Sequence, residues 1–199
     1  MKTALVVRGG WTGHSPVEAT DRYAAELVSR GYRVTTSETL DSYLDADLLA
    51  GTDLIVQCWT MGTITRDQLA GLSAAVRAGT GLAGWHGGIV DSFRDAPDYQ
   101  RITGGQFVYH PPTFVEYEVH AAGSTYAVHT EQYYVHTDPA IEVLATTDFV
   151  EGGTTVPVTW TTRWGDGKVF VTTIGHKLDD FDVPEVDRTI VEGLTWATR

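Results

Sequence analysis

The sequence predicts an α/β fold, a mainly parallel sheet with helices on both faces and further strands added in the C-terminal half. Three observations predict it. Short, continuously apolar runs alternate with capped helical stretches over the first hundred residues, as buried parallel strands and their crossovers do. From about residue 106 the texture turns to Val-, Thr- and aromatic-rich runs with little helix signal between them. A helical pattern returns only at the C-terminal end. With 199 residues, 42% hydrophobic and 20% charged, the chain has the material for one sizeable core and lacks the composition of a disordered segment.

Taken in order, TALVV (3–7) is a buried strand, followed by the loop RGGWTGH. Ser15, Pro16 and Glu18 spell a capping box with proline at the first helical position, and Gly31 stops that helix. YRVTTSE (32–38) and DLIVQCW (53–59) are the next strands. Thr65 with Gln68 forms a second capping box, opening a helix that ends at Gly79, and GLAGW (81–85) is the fourth strand. Five strand-like runs follow: QFVYH, FVEYEVH, IEVLATT, TVPVTWTT and KVFVTTIGH. The Asp-Gly of WGDGK (164–168) makes a hairpin of the last two. A helix begins near Pro184. With no repeat or linker, residues 1–199 read as a single domain.

Twenty-six acidic against fourteen basic residues give a formal charge of −12, which argues against nucleic acid or an anionic membrane as a partner. The single cysteine excludes an intramolecular disulfide and suits a reducing compartment. No signal peptide or membrane-spanning run is found, so a cytoplasmic location is expected. Cys58 lies within an apolar strand and reads as a small core residue. Gly104-Gly105 and Gly152-Gly153 are turn or helix-stop glycines, lacking the lysine and spacing of phosphate loops.

Ligands of open α/β sheets bind beyond the carboxyl ends of the strands. His14, His86 and His176 fall there, as do Trp11, Trp59 and Trp85. Imidazoles and indoles together suit a polar ligand with apolar faces, such as a sugar ring; the tryptophans could equally close the end of the core. His86 stands in a G-x-H-x-G turn, the spacing of a nucleophile elbow with an imidazole in place of Ser or Cys. A helix starting just beyond would keep that ring neutral. In HTEQYYVH (129–136), an extended chain puts His129, Glu131 and Tyr133 on one face. Glu131 with an imidazole could serve as an acid/base pair or as metal ligands. A divalent metal assembled from His14, His86, Glu131 and His176 is the open alternative to a site without cofactor.

GLAGWHGGIVDSFRDAPDYQRITGGQFVYHPP, HTEQYYVHTDPAIEVLATT and PVTWTTRWGDGKVFVTTIGHKLDDFDVPE, in that order, resemble the ThuA-like (trehalose utilisation) family from residue 81 to the C-terminus. The resemblance implies a flavodoxin-like fold similar to class I glutamine amidotransferases, whose elbow carries a cysteine. Here His86 takes that place, so no thioester can form and glutamine hydrolysis is excluded. Positions matching the family pattern are His86, Asp91, Phe93, Arg94, Gly105, Phe107, His110, Pro111, Glu131, Tyr133, Arg163, Gly175 and His176. The family's association with trehalose and 3-keto sugars implies an enzyme acting on such a disaccharide, with His86, Glu131 and His176 catalytic. His14, Trp11, Trp59, Trp85, His110, Tyr133 and Arg163 would then bind the sugar. A non-catalytic sugar-binding or regulatory protein is the competing reading, and a homodimer is expected by analogy.

Overall fold

The computed structural model describes residues 1–199. In chain order the first half contains β1 (Thr3–Gly10), α1 (Pro16–Ser29), β2 (Arg33–Ser37), α2 (Ala46–Ala50), β3 (Leu54–Thr60), α3 (Arg66–Arg77), β4 (Gly81–Trp85) and α4 (Pro97–Thr103). The second half contains β5 (Gly105–Tyr109), β6 (Val115–Ala121), β7 (Ser124–Thr130), β8 (Tyr134–Thr137), β9 (Glu142–Asp148), β10 (Thr155–Trp164), β11 (Gly167–Thr172) and α5 (Pro184–Ala197). Nine strands form one sheet in the order β2-β1-β3-β4-β11-β10-β9-β6-β7, and β5 pairs with β8 in a separate ribbon. The pairings from β2 to β11 are parallel; from β11 outward they are antiparallel. The expected α/β architecture with added antiparallel strands is what the chain forms.

Both faces of the parallel part are covered, which explains its continuously apolar strands. Along β1, Ala4 and Val6 face a core shared with Ala19, Tyr23 and Leu27 of α1 and with Ile190 and Leu194 of α5. The intervening Leu5 and Val7 face the other way, into a core shared with Leu72 and Val76 of α3. The Thr65–Gln68 capping box is present at the start of α3, and α5 starts at Pro184. The Asp-Gly hairpin joins β10 to β11 with Arg163 opposite Lys168.

Three local expectations need correction. Ser15 does not cap α1: its backbone is left-handed (φ 46°), whereas an N-cap hydroxyl needs an extended backbone to reach back to the first turn. That geometry comes from a 3-10 turn, Thr12–His14, which tucks His14 inward immediately before the helix. Second, α4 lies where no helix was expected. Its signals were Pro97 at the first position and Gly104 as a left-handed C-cap (φ 73°), but seven residues are too few for a readable apolar period. Third, HTEQYYVH is not one extended strand. β7 ends at Thr130 in the large sheet and β8 starts at Tyr134 in the ribbon, so 131–133 is the crossing between them. His129 therefore parts company with Glu131 and Tyr133 and lies exposed near Phe114.

Candidate active site

Neighbouring strands end side by side, and the residues just past those ends meet. β1 and β3 are paired as far as Gly10 and Thr60, so the turn leaving β1 sets His14 Nδ1 2.8 Å from Thr60 Oγ1. β4 and β11 are paired as far as Trp85 and Thr172, so His86 Nδ1 lies 2.7 Å from the Thr173 carbonyl. A carbonyl only accepts, which puts a proton on Nδ1 and turns Nε2 of His86 into the cleft, where it can hold a ligand or share a proton with Glu131. The loop beyond β11 adds His176, and the crossing after β7 adds Glu131.

One ligand atom from each of His14, His86, Glu131 and His176 lies within 4.8 Å of all the others. Glu131 Oε2 is 3.0 Å from His176 Nδ1 and 3.2 Å from His86 Nε2, and the latter two are 3.3 Å apart. His14 Nε2 is buried with no hydrogen-bond partner. Lone pairs of two imidazoles and a carboxylate at such distances repel unless a proton or a cation lies between them. Burial, reinforced by the neighbouring His86 and His176, lowers His14 to about 2, so this ring is a neutral donor. Burial alone would raise the Glu131 carboxyl. Hydrogen bonds from His176 and His86 outweigh it and hold the group well below the ordinary carboxylate range.

The elbow itself is strained, since His86 adopts φ 47°, a conformation side chains rarely take. Gly87 is required beside it. A Cβ there would come within 2.5–2.6 Å of the His14 ring, whose centroid stands 4.5 Å from that of His86. No α-helix follows the elbow, only a single 3-10 turn, so the expected helix dipole does not act on His86. The Thr173 carbonyl sets its tautomer instead.

Tyr133 stacks on His86 with centroids 4.1 Å apart; burial, then the nearby Glu131 and Asp91, push its phenol well above the usual range. Behind it stand Phe107 at 4.6 Å, Arg94 over Phe107 at 5.2 Å, and Asp91 bound by Arg94 through both carboxylate oxygens. His110 Nδ1 donates to the Pro111 carbonyl, which leaves Nε2 3.6 Å from Glu131 Oε1 at the partly open mouth.

Of the tryptophans, only Trp11 stands at this mouth, 47% exposed, its ring 4.7 Å from His14 and 6.4 Å from His176. Trp85 is 1% exposed and packs against Tyr23 and Phe181 under α1 and α5, a core residue and not a substrate contact. Trp59 is half-buried, its ring lying over Gly9 and Gly62. Arg163 is exposed beside the hairpin turn, where β11 begins, at the opposite end of the strands from the histidines. No local pattern announces Phe114, 39% exposed with its ring 4.9 Å from His176, nor Thr60 and Thr173 as the groups that orient the rings.

No helix is long and apolar enough to cross a membrane. Residues 3–197 match the family model described as ThuA, trehalose utilisation. No curated protein sequence matches. Among solved structures, a protein described as ThuA-like from Bacteroides uniformis superposes with a TM-score of 0.82 at 14% identity, covering 98% of this chain and 91% of that one. One so described from Parabacteroides merdae gives 0.82 and 14%, covering 98% and 89%. A GH42 β-galactosidase from G. stearothermophilus, Gan42B, carries a similar unit within a much longer chain: TM-score 0.59, 18% identity, 98% of this chain but 30% of that one.

Proposed function

The chain belongs to the ThuA (trehalose utilisation) family, and from that premise we propose that it is an enzyme of sugar catabolism built around a divalent metal ion. The substrate in this reading is a trehalose-type disaccharide or its 3-keto derivative. The observation that carries the metal is the buried, partnerless Nε2 of His14 among His86, His176 and Glu131. An orphaned buried ring nitrogen costs free energy that a bound cation returns. Thr60 and Thr173 occupy the far nitrogens of His14 and His86, as outer partners of metal-bound histidines do. Three imidazoles and one carboxylate suit zinc or a similar ion. When bound, the ion supplies Lewis acidity toward a sugar oxygen.

With His86, His176 and Glu131 engaged as ligands, proton transfer falls to His110. Its Nε2 faces the cluster and its ring reaches the opening. Trp11 and Phe114 offer exposed aromatic planes for the apolar face of a sugar ring. Tyr133, kept protonated, is a hydrogen-bond donor beside His86. A thiol route is closed, because Cys58 is buried and burial pushes it up to about 12.

The test is metal analysis of the purified protein together with turnover of trehalose and 3-ketotrehalose, before and after chelation. One ion per chain and turnover that chelation abolishes and zinc restores are expected. Sugar binding without turnover would favour a binding protein, and His14→Ala with full metal content would sink the proposed ligand set.

A further inference from the structure

We infer that Asp180 is a positioning residue that clamps the two chain segments carrying Glu131 and His176. This rests on reading the cluster as a cation-binding centre. The problem it solves is topological. His176 follows β11 in the middle of the sheet, whereas Glu131 follows β7, the edge strand four places away, and no strand pairing joins the two. Their side chains nevertheless meet at 3.0 Å.

Asp180 sits in a 3-10 turn, Leu178–Asp182, and is 3% exposed. Its Oδ2 accepts from three donors: Thr130 Oγ1 at 2.7 Å, His176 N at 2.9 Å and Lys177 N at 3.2 Å. Thr130 directly precedes Glu131. One oxygen thus binds the last residue of β7 and the backbone of His176 itself. The other oxygen pairs with Lys177 Nζ at 3.3 Å, which balances the buried charge. Because both oxygens are engaged locally, Asp180 is not a fifth ligand; it holds two of the four where they can share an ion. Consecutive N–H groups converging on one carboxylate form a rigid anion nest, a stiffer tie than a neutral acceptor would give.

Removing a group that orients metal ligands typically weakens binding about 10- to 100-fold. Full-length protein stripped of metal would be titrated with Co²⁺ against a chromophoric chelator, recording the visible cobalt spectrum and thermal unfolding of each metal-free variant. Asp180→Asn should lose about 10- to 100-fold in Co²⁺ affinity and alter the spectrum. Thr130→Val, a milder change that cuts only the Glu131 side, should weaken binding about 10-fold at nearly unchanged melting temperature, and Thr130→Ser should restore it. Folded variants that bind Co²⁺ with wild-type affinity and spectrum would overturn the clamp. A wild-type protein that takes up no Co²⁺ would overturn the cation-centre reading instead, and the clamp with it.

Discussion

The parallel part of the sheet delivers His14, His86 and His176 to one edge by a single device, a strand that stops and a turn that follows. The antiparallel part delivers Glu131, Tyr133, His110 and Phe114 from connections between the large sheet and the β5–β8 ribbon. The two deliveries differ in what holds them. Each of His14 and His86 is fixed by a group at the end of the adjacent strand. Glu131 depends on contacts made across the cleft, with His86, His176 and, through Thr130, Asp180. A framework of imidazole rings thus comes from the rigid side, while the carboxylate and much of the wall facing a substrate come from the side whose loops can vary. Binding sites in general divide labour this way between scaffold and loop.

Substitutions on each side should separate these roles. The largest effect is expected for His86→Ala, which removes the central ring. Metal content by elemental analysis should fall below one ion per chain and turnover should become undetectable, whereas retained turnover would break the division. His110→Asn on the other side should keep its metal and lose about 10²- to 10⁴-fold in kcat, the usual share of a proton-transferring side chain. Trp11→Ala and Phe114→Ala should each raise KM about 2- to 10-fold, in line with about 0.5–1.5 kcal/mol for an aromatic contact, with metal content unchanged.

Acid stability sharpens the comparison further. The folded Glu131 carboxyl titrates below its ordinary 4.5, because hydrogen bonds from His176 and His86 outweigh the burial that would raise it. Its contribution is therefore fully present above pH 4.5 and is lost as the pH falls through the folded value. In the metal-free protein, denaturant unfolding should place Glu131→Gln below wild type near neutrality, with the gap narrowing under acid conditions. A constant gap would count against the paired carboxylate. The smallest effect belongs to Arg163→Ala, which should leave kcat, KM and metal content alone, since that residue lies at the far end of the strands, beside the hairpin turn.

Arg163 also shows how much a single turn reveals. The Asp-Gly turn sets Arg163 opposite Lys168, and the strand leaving that turn runs on toward His176. A turn at one end of β11 and a histidine beyond the other cannot share a site, so the placement was available from the hairpin alone. The parallel strands, the Thr65 cap and the convergence of His14, His86 and His176 were legible because they follow from local pattern and from the rule that ligands gather past strand ends. Trp85 lies in the core and not at the cleft. Its position at a strand end was clear, but which face it points to depends on strand parity against α1 and α5, and it joined Ala83 in that core. The break between Thr130 and Tyr134 was hidden for another reason: pairing partners of β7 and β8 lie in different sheets, and nothing within eight residues announces a change of partner.

The exposed indole at position 11 has a practical consequence. Its ring centroid lies 4.7 Å from that of His14 and 6.4 Å from that of His176, while Trp85 and Trp160 are enclosed in the two cores. Light emitted by Trp11 is therefore open to quenching by any coloured or paramagnetic ion bound among these rings. The molecule carries its own optical gauge of whether the cleft is filled.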